Sequence, residues 1–122
     1  MSSIHKELAN GKWKNFSFFD QMGNIWSEIG RCANWNKKRD KKMGQQAFEM
    51  GLELLDLTIE DPKNKNKLLE LCLLREMLAD HFYFSNEYNS TDEQWDAYFY
   101  PFAYAAAISR EKTPNTQPEE VV

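Results

Sequence analysis

Apolar residues recur at steps of three and four in four separate stretches of the chain, the period of an amphipathic helix. The first stretch opens at Phe16-Ser17, where Ser17 suits an N-cap, Asp20 its reciprocal partner and Phe16 a hydrophobic staple. Phe18, Met22, Ile25, Ile29 and Cys32 then mark one face, with Phe19, Trp26 and Ala33 beside it, until the polar run "NWNKKRDKK" ends the helix. A second helix is predicted over Met43–Ile59. Phe48, Leu52, Leu55 and Ile59 form one apolar edge, and Met43, Met50, Leu54 and Leu57 another. Gly51 lies between the two edges, where a missing side chain lets a neighbouring helix come close despite the helix-propensity cost of about 1 kcal/mol. Glu49, Glu53, Asp56 and Glu60 stack on the opposite side and read as a solvated stripe. A carboxylate metal centre in a bundle would need Glu-x-x-His pairs, which neither His5 nor His81 supplies.

"EDPKNKN" reads as a turn with Asp61 as cap and Pro62 at the first helical position. A third helix is predicted over Lys65–Phe84 and a fourth over Thr91–Arg110, the latter opened by a capping box of Ser90 and Glu93. Pro101 removes a backbone donor inside the fourth helix and predicts a kink. Trp95, Tyr98, Phe99, Phe102 and Ala106 make its inward stripe. The fold class that follows is all-α, an antiparallel four-helix bundle over residues 16–112. An N-terminal extension over 1–15 carries a short helical segment near Ser3–Asn10, and 113–122 reads as a disordered tail.

A chain of 122 residues is the size of one domain. No apolar run approaches the roughly 20 residues needed to span a bilayer, and the first residues lack the apolar core of a signal peptide. Cys32 and Cys72 fall on apolar helix faces without metal-ligand spacing, which suits a reducing cytoplasm. Charge is uneven. Met1–Lys42 holds nine basic against four acidic residues, and the remainder holds six against fifteen. That asymmetry favours a local anionic contact or association between copies over wholesale coating of nucleic acid.

The third helix raises the sharpest question. Leu68, Leu71, Cys72, Leu74, Leu78, Ala79 and Phe82 span one apolar arc on a helical wheel, and Arg75 sits near its centre. A buried guanidinium needs a carboxylate, and Glu28, on the edge of the first helix's arc, is the expected partner in a structural ion pair. The stretch "REMLADHFY" also resembles the signature of HEPN-domain proteins, small helical bundles whose RNase members carry an arginine and, some residues later, a histidine followed by x-Tyr. The resemblance implies a metal-independent dimeric RNase in which Arg75 stabilises phosphate charge, His81 is the general acid or base, and Tyr83 occupies the tyrosine position. Glu76 departs from the polar amide frequent after that arginine and would repel phosphate.

A broader likeness covers "GNIWSEIGRCANW", "AFEMGLELLDLTIEDPKN" and "LCLLREMLADHFYFSNEYNSTDEQWDAYFYPFAYAA". Together these resemble a set of small uncharacterised prokaryotic helical proteins. Their architecture is similar to that of ribosomal intervening-sequence and retroelement-accessory bundles, whose accessory members are oligomers that bind a partner enzyme and nucleic acid.

Two surfaces stand out. Tyr100, Tyr104 and Ala107 project away from the inward stripe and form a candidate self-association face. Trp35, Lys37, Lys38, Arg39, Lys41 and Lys42 form a candidate anion contact through which nucleic acid would bind. "GKWKNF" repeats that theme with Lys12, Trp13 and Lys14. The favoured reading is a cytoplasmic, non-enzymatic, self-associating interaction or adaptor module with a protein partner, requiring no metal, cofactor or membrane. The alternative is the RNase using Arg75 and His81.

Overall fold

Three of the four helix starts are set by a short polar side chain that satisfies backbone N–H groups left over at the first turn. The computed structural model describes residues 11–111, and among these the chain is helical with no strand. The elements are α1 (Phe18–Lys37), α2 (Lys41–Glu60), α3 (Leu68–Phe82) and α4 (Asp92–Glu111), with 3-10 turns at Lys12–Asn15 and Pro62–Lys67. The expected segments near Ser3–Asn10 and over 113–122 lie outside the described residues. No described helix is long and apolar enough to cross a membrane.

Ser17 caps α1, its Oγ accepting from the Asp20 amide at 3.0 Å. The Asp20 carboxylate accepts from Arg110 Nη1 at 2.7 Å, which ties the start of α1 to the end of α4. Asp40 caps α2 through the Met43 amide at 3.1 Å and so begins that helix two residues ahead of Met43. Asp61 caps the 3-10 turn instead of a longer helix, and α3 therefore starts only at Leu68. The box that opens α4 falls one residue later than Ser90 and Glu93. Thr91 Oγ1 accepts from the Gln94 amide at 3.1 Å, and Gln94 Oε1 accepts from the Thr91 amide at 2.9 Å. Pro101 stands inside α4 without ending it.

Met22, Ile25, Ile29 and Cys32 of α1 meet Phe48, Leu54 and Leu55 of α2, Leu71, Leu74 and Leu78 of α3, and Trp95 and Phe99 of α4 in one core. Each large aliphatic side chain buried this way contributes about 1.5–3 kcal/mol. Contacts between neighbouring helices run in reverse order along the chain. Phe18 meets Phe102 edge-on at 5.7 Å while Trp26 stacks on Phe99 at 4.9 Å. Phe48 meets Phe82 at 5.8 Å, and Asp56 lies opposite Arg75. A Cβ on Gly51 would stand 2.9 Å from Ile29 Cδ1, so glycine sets the close approach of α1 and α2.

One residue of the expected extension over 1–15 packs with the helices. Trp13 belongs to the core, and its indole Nε1 donates to Thr58 Oγ1 at 2.9 Å. Around it lies a buried polar knot. Gln21 Nε2 donates to Trp13 O at 3.0 Å and to Asp61 Oδ2 at 2.9 Å, while Asn64 Nδ2 donates to Gln21 Oε1 and to Thr58 O, both at 2.9 Å. Burial alone would raise the Asp61 carboxyl, but the bonds it accepts from Lys63 and Gln21 outweigh that and hold it below the ordinary carboxylate value.

Candidate functional site

Only half of the wide apolar arc of α3 faces the core. Leu71, Leu74 and Leu78 are buried, while Leu68 and Cys72 on the same arc are exposed, as are Leu69 and Leu73 beyond it. Arg75 therefore lies at the edge of the buried stripe and not at its centre. Its Nε donates to Asp56 Oδ1 at 2.7 Å and its Nη2 to Asp56 Oδ2 at 3.4 Å. The expected pair with Glu28 is not made: Glu28 instead lies 3.3 Å from Arg31 as an ion pair one turn along its own helix. The reason is placement. α3 packs along α2, so the acid within reach comes from α2's outer stripe. With 42% of the Arg75 side chain and 44% of the Asp56 side chain exposed, the pair is a surface tie and not a sheltered one.

His81 is differently engaged. Its Nε2 lies 2.9 Å from Asp92 Oδ1 and its Nδ1 2.9 Å from Ser90 Oγ. Serine, histidine and aspartate in a row are the residue types of a nucleophile, a base and an orienting acid. The Ser90 hydroxyl, however, is already committed: Trp95 Nε1 donates to it at 3.3 Å, and Asn86 Oδ1 lies 3.2 Å away. Ser90 is buried. The chain of bonds thus fastens the connection between α3 and α4 to both helices. Asp80 does the same from below, accepting from the amides of Glu87 at 2.7 Å and Tyr88 at 3.0 Å. Asn86 and Asn89 take the left-handed backbone that asparagine tolerates in such turns.

Tyr83 turns a third way. Its ring packs 5.5 Å from that of Phe48, beside a hollow shared with Cys32, Asn36 and Gln45. Arg75 lines a separate hollow with Cys72, Glu76 and Phe84. Within one chain, Arg75, His81 and Tyr83 are not brought to a common cleft. No group of three or more His, Cys, Asp or Glu among the described residues is placed to hold a metal ion.

The basic residues Lys37, Lys38, Arg39, Lys41 and Lys42 are all exposed at the turn between α1 and α2. Trp35 is partly buried, with Lys38 Nζ 5.2 Å over its ring. Arg39 adopts φ 62°, the left-handed region, to make the turn. Lys12 and Lys14 precede α1, at its far end. Twenty helical residues rise about 30 Å, so the two basic segments do not converge.

Tyr100 and Tyr104 stand outside the bundle, 64% and 56% exposed, with their rings stacked at 6.1 Å and 23°. Ala107, one turn further, is exposed beside them. A second uncovered apolar surface escaped the sequence reading. Leu69 is 85% exposed, and Leu73, Tyr88 and Phe84 are exposed along the same side of α3 and its following turn. The signal lay in Leu69 and Leu73 themselves, apolar residues one turn apart outside the arc read as inward-facing.

No protein-family model, curated protein or solved structure matches the chain.

Proposed function

We propose that this protein is an antiparallel four-helix bundle of the cytoplasm that self-associates and acts, without enzymatic activity, as an interaction or adaptor module. The observation that carries this reading is the stacked pair of Tyr100 and Tyr104, two aromatic rings held in parallel on the outside of a bundle whose core is complete without them. Aromatic side chains with small neighbours, here Ala103 and Ala107, are what the centre of an association surface requires. The polar side chains that suggested chemistry support the same reading, since Arg75 and His81 spend their hydrogen bonds on Asp56, Ser90 and Asp92.

Nucleic acid enters this proposal only through the basic turn, by way of Lys37, Lys38, Arg39, Lys41 and Lys42, as a local contact in a larger complex. The architectural likeness to retroelement-accessory bundles points the same way and implies a protein partner. No observation favours the metal-independent RNase.

Light scattering across a concentration series tests the proposal. The expected result is a mass above that of one chain, which falls towards one chain in the double variant Tyr100→Lys with Tyr104→Lys. A single-chain mass at high concentration, or an RNA-cutting activity abolished by His81→Ala in a folded protein, would overturn it.

A further inference from the structure

The α3–α4 hairpin leaves a groove of about 460 Å³ open between its two helices. Leu74 and Trp95 form its floor, and Leu73, Met77, Tyr88 and Tyr98 its walls. No lysine or arginine lines it, while Glu70 stands at its edge with an oxygen 2.8 Å from the Tyr98 hydroxyl, which donates to it. The surrounding charge has one sign. Residues 68–111 carry eight carboxylates against two arginines. Both arginines are drawn to other helices, Arg75 to Asp56 of α2 and Arg110 to Asp20 of α1. The groove is thus apolar within and negative around.

We infer that this groove is a docking site for a cationic amphipathic helix of a partner protein. A helix fits because the exposed residues Leu69 and Leu73, with Met77 after them, recur at one turn per step and make a ridge against which an apolar helical stripe can pack. A cationic polar face fits because its lysines or arginines would meet Glu70 at the edge and the carboxylate excess of the two helices around it, where complementary charge sets partner choice and encounter rate. The inference deepens the interaction-module reading by naming the partner class. It uses a different surface from the tyrosine pair.

The probe is a fluorescein-labelled 18-residue peptide of leucine and lysine patterned at helical period, titrated with the full chain and followed by anisotropy. Two control peptides accompany it, one with glutamate for every lysine and one with the same composition scrambled. The patterned cationic peptide should bind, with affinity falling as salt rises, and each control should bind about tenfold more weakly or worse. Leu73→Lys with Met77→Lys should weaken binding by a similar factor while circular dichroism stays unchanged. Tyr100→Lys with Tyr104→Lys should leave binding intact while lowering oligomer mass. Equal binding of the scrambled or the acidic peptide would overturn the inference, as would indifference to the groove variant. A groove variant that lowers oligomer mass with no peptide bound by the parent would make a second copy the occupant and overturn it too. Loss of assembly in the tyrosine variant tests the broader reading separately.

Discussion

The side-chain oxygen of Gln21, fully buried in α1, accepts a 2.9 Å hydrogen bond from Asn64, 43 positions away in the turn between α2 and α3. Its amide nitrogen donates to Asp61 and to the backbone of Trp13. One carboxamide thus joins three segments at one end of the bundle, where low dielectric makes satisfied hydrogen bonds strong and broken ones costly.

Gln21→Leu should therefore destabilise the protein by about 2–4 kcal/mol, because it removes the three buried hydrogen bonds to Trp13, Asp61 and Asn64 without adding a partner. Urea melts of the two proteins measure the difference. A loss below half a kcal/mol would mean that the knot contributes little.

The same knot makes stability depend on pH. Asp61 has a folded-state value below its ordinary one, so its contribution is complete above about pH 4 and is lost as pH falls through the lowered value. Urea midpoints should decline below about pH 4, and Asp61→Asn should flatten that decline while lowering stability at neutral pH. An unchanged slope in the variant would assign the acid sensitivity to other carboxylates.

Arg75→Ala should cost no more than about 1 kcal/mol, the range of an exposed ion pair. Had the guanidinium been sheltered, removal would have cost about 3–5 kcal/mol. A double-mutant cycle with Asp56→Ala isolates the pair, and a coupling above 2 kcal/mol would contradict the exposure of both groups.

His81→Ala should cost about 1–3 kcal/mol, since it removes the contacts to Ser90 and Asp92 that fasten the connection to both helices. Hydrogen exchange should quicken over residues 83–91 more than in α1 or α2. Uniform change throughout the bundle would show that the clasp is not local.

The two thiols should separate cleanly. Burial pushes Cys32 up to about 11, partly opposed by a bond from Asn36, whereas Cys72 is exposed. A thiol reagent at pH 8 should label one cysteine promptly and the second only on unfolding. Prompt labelling of both would contradict the burial of Cys32.

Four helices, their order and most of their core were legible from residue spacing alone. Periodicity is a local property, written wherever an element buries one face, and so Ile25, Ile29, Leu55, Leu74 and Phe99 declared themselves. The Ser17 and Asp61 caps were equally plain, because a cap acts within three residues of itself. What the chain could not declare was which half of α3's double-width arc would be covered. That depended on α3 packing along α2, a relationship between segments far apart in sequence. From it followed the partner of Arg75, the exposure of Leu69 and Leu73, and the groove beside α4. Trp13 and Gln21 were hidden for the same reason: a polar atom in a core is tolerated only by partners, and here the distant ones lie 40 to 45 positions away. Spacing determines which residues share a face, and only packing decides what that face meets.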